Sequence, residues 1–188
     1  MSNLAKNLLE IEKLCLSVCQ KFDGHNISPI LRKQVESGED IWDRRNWTGH
    51  LTASAIVINS DASTCLMMGH KKLGFELAPG GHCDPYEQPH ISAQRELFEE
   101  TGVFSAEMAH WHGVNQYCPI DIDTHAIPNN TTKGEPSHFH HDFRYLFILT
   151  RNHDTILNET EGTWLDWLPI STLKQRYPRV YSRMKVIN

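Results

Sequence analysis

The chain has 188 residues, 39% of them hydrophobic and 22% charged, enough for one substantial domain with its own core and some decoration. A formal charge of −5 gives no reason to expect a nucleic-acid-coating surface, and no apolar run approaches the roughly 18 residues of a membrane helix. The N-terminal stretch lacks the apolar centre of a secretion signal, and Cys15, Cys19, Cys65, Cys83 and Cys118 form no regular framework, so a reduced cytoplasmic setting is expected.

Leu4, Leu8, Ile11, Cys15, Val18 and Phe22 alternate at spacings of four and three, which predicts an amphipathic helix with a narrow apolar seam. That seam can pack on its own domain or pair with a second copy, so a homodimer is one expectation. Asp23-Gly24 ends the helix. Ser28-Pro29 then reads as a cap and first residue of a second helix, stopping near Gly38. The two helices form an expected N-terminal extension over residues 1–45, ahead of one α/β domain over 46–188.

Within that domain, strands are predicted at Leu51–Ile58 and Thr64–Met68 around the turn Asn59-Ser60-Asp61, then at Phe75–Ala78. Pro79-Gly80-Gly81 demands a tight backbone path with room for close approach. Pro89 opens a helix that Gly102 closes, with Ile91, Gln94, Leu97, Phe98 and Thr101 as its inward stripe. Met108–Val114 reads as a strand and Cys118–Ser137 as a long loop. The strand His138–Leu149 alternates His138, His140, Asp142 and Arg144 on one face with Phe139, Phe143, Tyr145 and Phe147 on the other. Arg151-Asn152-His153-Asp154 reads as a turn, Trp164–Leu168 as a last strand, and the tail as helical with a break at Pro178.

The chemistry concentrates in Gly81–Val103. Glu96, Glu99 and Glu100 sit at relative positions 0, +3 and +4, which share one helix face within reach of a single cation. Like charges there are unfavourable without compensation, and in a last helical turn they also oppose the macrodipole. A hard divalent ion such as Mg²⁺ suits an all-oxygen cluster. Such conflicts between propensity and sequence mark function.

This stretch resembles the Nudix box, G-x5-E-x7-R-E-U-x-E-E-x-G-U with U a bulky aliphatic residue. Gly81, Glu87, Arg95, Glu96, Leu97, Glu99, Glu100, Gly102 and Val103 fill every defined position. Seven fixed residues, each at about one in twenty, match by chance at a given start on the order of once in a billion. The resemblance implies an α/β/α sandwich around a central mixed sheet, and hydrolysis of a nucleoside diphosphate linked to another group, or of a related pyrophosphate, with Mg²⁺ or Mn²⁺. It implies Glu96, Glu99 and Glu100 as metal ligands, the carbonyl of Gly81 as a further one, and Glu87 and Arg95 as ties between loop and helix. The base that deprotonates water is open among Glu96, Glu100, Glu159, Glu161 and Asp142.

His70-Lys71-Lys72-Leu73-Gly74 and the His138-x-His140-x-Asp142-x-Arg144-Tyr145 strand resemble a bacterial branch of the family without an assigned substrate. Lys72, His82, His138, His140, Asp142 and Arg144 are candidate contacts to phosphate or base. The competing reading is structural, with Arg144 and Asp142 bonding each other and the phenylalanines as core. A zinc site from His138, His140 and Cys83 is a further alternative. Glu76 departs from the Trp common near this position in the family. A small nucleotide-like pyrophosphate is the expected partner. The alternatives are a non-catalytic nucleotide sensor of the same fold and the isopentenyl diphosphate isomerase branch, whose surrounding motif is absent.

Overall fold

The computed structural model describes residues 2–22, 26–70, 76–151, 155–158, 160 and 162–187. Lys72, Phe75, Asp23-Gly24, the tip of the turn after Arg151, Glu159 and Glu161 lie outside the described residues. Helix α1 (Asn3–Lys21) is capped by the Ser2 hydroxyl, which accepts from Ala5 N at 3.2 Å. Its seam residues Leu8, Ile11, Cys15 and Val18 are buried. Helix α2 (Pro29–Ser37) starts behind the Ser28 cap with Pro29 at its first turn and stops at Gly38, where φ of +76° favours a residue without Cβ.

Both helices join the same hydrophobic core as the sheet, so the seam of α1 packs on its own chain. Polar ties reinforce the packing. Gln34 donates to the carbonyl of Gly49 at 2.9 Å and its amide oxygen lies 2.8 Å from His141 Nε2. The indole of Trp42 donates to the carbonyl of Glu87 at 2.9 Å. Trp42 therefore braces the box loop at Glu87, just ahead of the helix that starts at Pro89.

Among the described residues the sheet has eight strands: β1 (His50–Ile58), β2 (Thr64–His70), β3 (Glu76–Leu77), β4 (Gly80–His82), β5 (Ala106–Met108), β6 (Asp121–Ile127), β7 (His138–Leu149) and β8 (Gly162–Pro169). Its centre is the parallel pair β1 and β7, in register from His50 beside His140 to Ile58 beside Ile148. The remaining pairings are antiparallel: β2 and β4 on β1, β5 and β6 on β7, β3 and β8 on β2. This is the expected mixed sheet, with helix α3 (Pro89–Thr101) on one face.

Alternation divides the sheet by chemistry. Ala53, Gly81, Phe143, Tyr145 and Phe147 share the face toward α3, because a Cβ added at Gly81 would meet the Glu96 carboxylate. The opposite face carries His50, Thr52, Ser54 and His82 with His138, His140, Asp142 and Arg144. Arg179 and Arg183 of helix α6 (Pro178–Ile187) reach this face at Asp121. Helix α5 (Ile170–Arg176) precedes the expected break at Pro178. Its Arg176 binds the anomalous Glu76 at 3.0 Å, which pins β3.

Three expectations are corrected. Residues 121–127 form β6 rather than loop: Asp121 and Asp123 have poor strand propensity, but Arg144, Arg179 and Arg183 neutralise them. Met108–Val114 is the end of β5 followed by helix α4 (His110–Val114). The inward stripe of α3 is Ser92, Ala93, Leu97, Glu100 and Thr101, while Ile91 and Phe98 are exposed. Glu100 thereby takes a core-facing position that apolar periodicity assigns to its neighbours.

His112 explains the turn at α4. Fully buried, it has Nδ1 at 2.7 Å from the carbonyl of Cys118, and its Nε2 accepts from Leu146 N at 2.9 Å. One neutral tautomer satisfies both bonds. Burial pulls its pKa from 6.5 to about 4, opposed in part by the Cys118 carbonyl. The unfolded chain takes up this proton first, so the stability His112 contributes is full above pH 6.5 and is lost as pH falls toward 4. At about 1.4 kcal/mol per pKa unit this amounts to about 3 kcal/mol. Urea midpoints of wild type and His112→Asn across that window should show a shallower acid limb in the variant.

Candidate functional site

The box forms a loop, a helix and a stop. Pro89 pre-sets the first turn of α3, and Gly102 ends it with φ of +67°. Arg95 lies at the hub. Its Nη1 donates to Glu96 Oε1 at 2.8 Å and to Glu99 Oε2 at 3.0 Å. Its Nη2 donates to Glu87 Oε2 at 3.1 Å and to the carbonyl of His82 at 2.9 Å. Ser92 adds a hydroxyl bond to Glu87 Oε2 at 2.7 Å. One guanidinium thus joins both ends of the loop to two successive turns of the helix, a fork geometry that lysine cannot supply.

Glu96 stands against Gly81, where an added Cβ would lie 2.6 Å from its carboxylate. Only glycine permits that approach. Glu100 is buried and its Oε2 accepts from Gly80 N at 2.8 Å, whereas Glu99 is half exposed. Glu96 and Glu100 therefore meet the Gly80-Gly81 backbone directly, and Glu99 is joined to Glu96 through Arg95. Burial raises the pKa of Glu96 above the usual carboxylate range, and Arg95 only partly opposes it. Burial acts the same way on Glu87, but bonds from Ser92 and Arg95 outweigh it and hold that carboxyl low. Glu87 is thus a fixed anion, and Glu96 is the group whose charge is costly to maintain.

Among the described residues, the predicted contacts His82, His138, His140, Asp142 and Arg144 lie on the far face of the sheet. Arg144 is nearly buried and places its nitrogens 2.8 Å from Asp142, 3.0 Å from Asp121 and 3.1 Å from Asp123, with its guanidinium 4.9 Å from the Tyr177 ring. Asp142 also accepts from Ser54 at 2.8 Å. These contacts match the structural reading of that pair. Phe143 and Phe147 are fully buried core residues.

His82 and His140 converge instead with His50, and His138 places its Nε2 3.3 Å from His140 Nε2. Cys83 belongs elsewhere: it is buried on the α3 side, and desolvation pushes its thiol up to about 12. Of the zinc set expected from sequence only His140 is retained, and His50 and His82 stand where His138 and Cys83 were expected. Sequence reading missed His50 because only the parallel pairing of strands ninety residues apart brings it beside His140. It also missed Trp42 and Ser92, which act through a carbonyl and a hydroxyl that carry no motif.

The sequence pattern of the NUDIX domain matches residues 48–187, so the chain belongs to the NUDIX domain family. A probable DHNTP pyrophosphohydrolase of Lactococcus lactis subsp. cremoris is 37% identical over 120 residues, covering 64% of this chain and 66% of that protein, just under two thirds of its length. Among solved structures, a C. elegans Ap4A hydrolase in a binary complex superposes with a TM-score of 0.53 at 14% identity, covering 72% of this chain and 95% of that one. A NUDIX-family hydrolase from Clostridium perfringens gives 0.51 at 20% identity, covering 74% and 98%. These two likenesses establish the shared fold.

Among the described residues, no helix is long and apolar enough to cross a membrane.

Proposed function

We propose that the chain is a divalent-metal-dependent hydrolase that cleaves a phosphoric anhydride bond in a small nucleotide-like substrate in the cytoplasm. The observation that carries this reading is Glu96 against Gly81 and Glu100 on the Gly80 N–H, with Glu99 tied to Glu96 through Arg95. The donor set fits a hard ion, since it consists of carboxylate oxygens beside a glycine whose lack of a Cβ lets Glu96 approach the backbone. Glu96, Glu99, Glu100 and the Gly81 carbonyl would hold Mg²⁺ or Mn²⁺. When bound, such an ion supplies charge neutralisation of the anionic bridge and a more acidic water.

The protein's own residues then divide the work. Arg95 fixes Glu96 and Glu99 relative to the loop and stays protonated throughout, because Glu87 and Glu96 hold its proton against the effect of burial. Glu87 anchors Arg95 and takes no part in proton transfer. Glu96, its pKa already raised, accepts the proton of the attacking water, a step typically worth 10²–10⁴-fold. Lys72 remains a proposed contact to substrate phosphate, whereas the histidines lie across the sheet from the box carboxylates. The DHNTP named for the Lactococcus relative supplies a first substrate to test.

The experiment is product release from a panel of nucleoside di- and triphosphate derivatives and DHNTP, with and without Mg²⁺. Turnover that needs Mg²⁺ and falls at least a hundredfold in Glu99→Gln and Glu100→Gln is expected. Full activity in both variants would remove the carboxylate site, and tight binding without turnover would favour the sensor reading.

A further inference from the structure

We infer that His50, His82 and His140 form a second metal site, selective for a borderline ion of the zinc type, on the sheet face opposite the box carboxylates. The topology assembles it. His50 and His140 are direct neighbours across the parallel β1–β7 pair, and β4 brings His82 beside Thr52 on the other edge of β1. The three ring centroids are 5.0, 4.8 and 5.1 Å apart, and one ring nitrogen from each lies within 4.8 Å of the other two. Tetrahedral zinc with nitrogen bonds of about 2.0–2.1 Å sets ligand nitrogens about 3.4 Å apart, so closure from a 4.8 Å separation needs up to about 1.4 Å of side-chain adjustment.

A second observation points into the same space. His50 is 1% exposed, and its Nε2 is buried with no hydrogen-bond partner among the described residues. Its Nδ1 lies 3.4 Å from the carbonyl of Asn46, which favours the tautomer with the proton on Nδ1 and a lone pair on Nε2. An orphaned buried nitrogen is costly, and a metal bond is one chemistry that satisfies it. His138 supports the group from outside: its Nδ1 lies 2.7 Å from the carbonyl of Pro136, and its ring stacks on His50 at 4.8 Å. The site itself contains no carboxylate, so imidazole nitrogen alone would select the ion, and Mg²⁺ is a poor fit to it.

This site is independent of the box reading, and its test separates the two. The full chain, stripped with a chelator, is titrated with Co²⁺ and visible ligand-field bands are recorded, then competed with Zn²⁺. One equivalent of Co²⁺ with intense low-coordinate bands, displaced by Zn²⁺, is expected. Binding should weaken at least tenfold in His82→Asn and in His140→Asn, since even outer-shell partners of a metal site cost that much. The bands should persist in Glu99→Gln. Zn²⁺ should raise the thermal midpoint of wild type and Glu99→Gln and leave that of His82→Asn in place. His82, half-buried on a three-residue strand, keeps the test usable if the His140 variant misfolds, and the wild-type spectrum needs no variant at all. Folded wild type without ligand-field bands would overturn the inference. So would bands that survive both histidine variants or vanish in Glu99→Gln.

Discussion

Replacing Asp121 by Ala is expected to destabilise the protein by about 3–5 kcal/mol, because it breaks a buried charge cluster by removing its shared partner. The Asp121 carboxylate is buried and accepts from three arginines: Arg144 at 3.0 Å, Arg179 at 2.9 and 3.1 Å, and Arg183 at 2.7 Å. Two of these guanidiniums are themselves nearly out of solvent. Burial already pulls Arg183 below its ordinary value, with Asp121 acting against that pull. Removing Asp121 leaves the positive charges of Arg144 and Arg183 close together and largely out of solvent. Asp123 is more exposed and shares Arg144 and Arg179, so Asp123→Ala should cost about 1 kcal/mol, near the range of exposed pairs. Urea unfolding measures both: the midpoint should fall several times further for Asp121→Ala, at an unchanged slope. A comparable loss in the two variants would mean that strand pairing rather than charge holds β6 in place.

The same cluster shows where sequence legibility ended. Elements whose signal is local were readable. The seam of α1, the Ser28 cap and Gly38 stop of α2, the Pro89 and Gly102 bounds of α3, and the alternation of β7 all appear where periodicity and capping place them. β6 was unreadable because its two aspartates are tolerated only through arginines 21 to 62 residues away, and no local pattern announces such partners. α4 depends on a histidine bonded to Cys118 and Leu146, again across the fold. Within the box, the residue types and their spacing were visible, but the orientation of α3 was not. Ile91 and Phe98 offered the stronger apolar stripe, yet the sheet took Glu100, since the Gly80 N–H requires an acceptor there. A backbone donor near the core outweighed hydrophobic pattern.

Glu96→Gln should lower hydrolysis by two to four orders of magnitude and leave stability unchanged or higher. The first half follows from the proposed role as base, because an amide cannot take a proton from water. The second follows from burial. The folded-state pKa of Glu96 is raised from 4.5. The stability linked to this group is therefore fully present below pH 4.5 and is lost as pH rises through the folded value, so at neutral pH the ionised form works against the fold. Glutamine retains an oxygen for Arg95 Nη1 at nearly the same size and removes the charge. Opposed signs of this kind separate a functional carboxylate from a structural one: Asp121 should lose stability on neutralisation, and Glu96 should not. Activity against the best substrate of the panel and thermal midpoints at pH 5 and pH 8 measure the two quantities. The gain of the variant over wild type should be larger at pH 8. A Glu96→Gln protein that unfolds readily at both pH values would place Glu96 with Glu87, as a structural partner of Arg95 rather than the residue that accepts the proton.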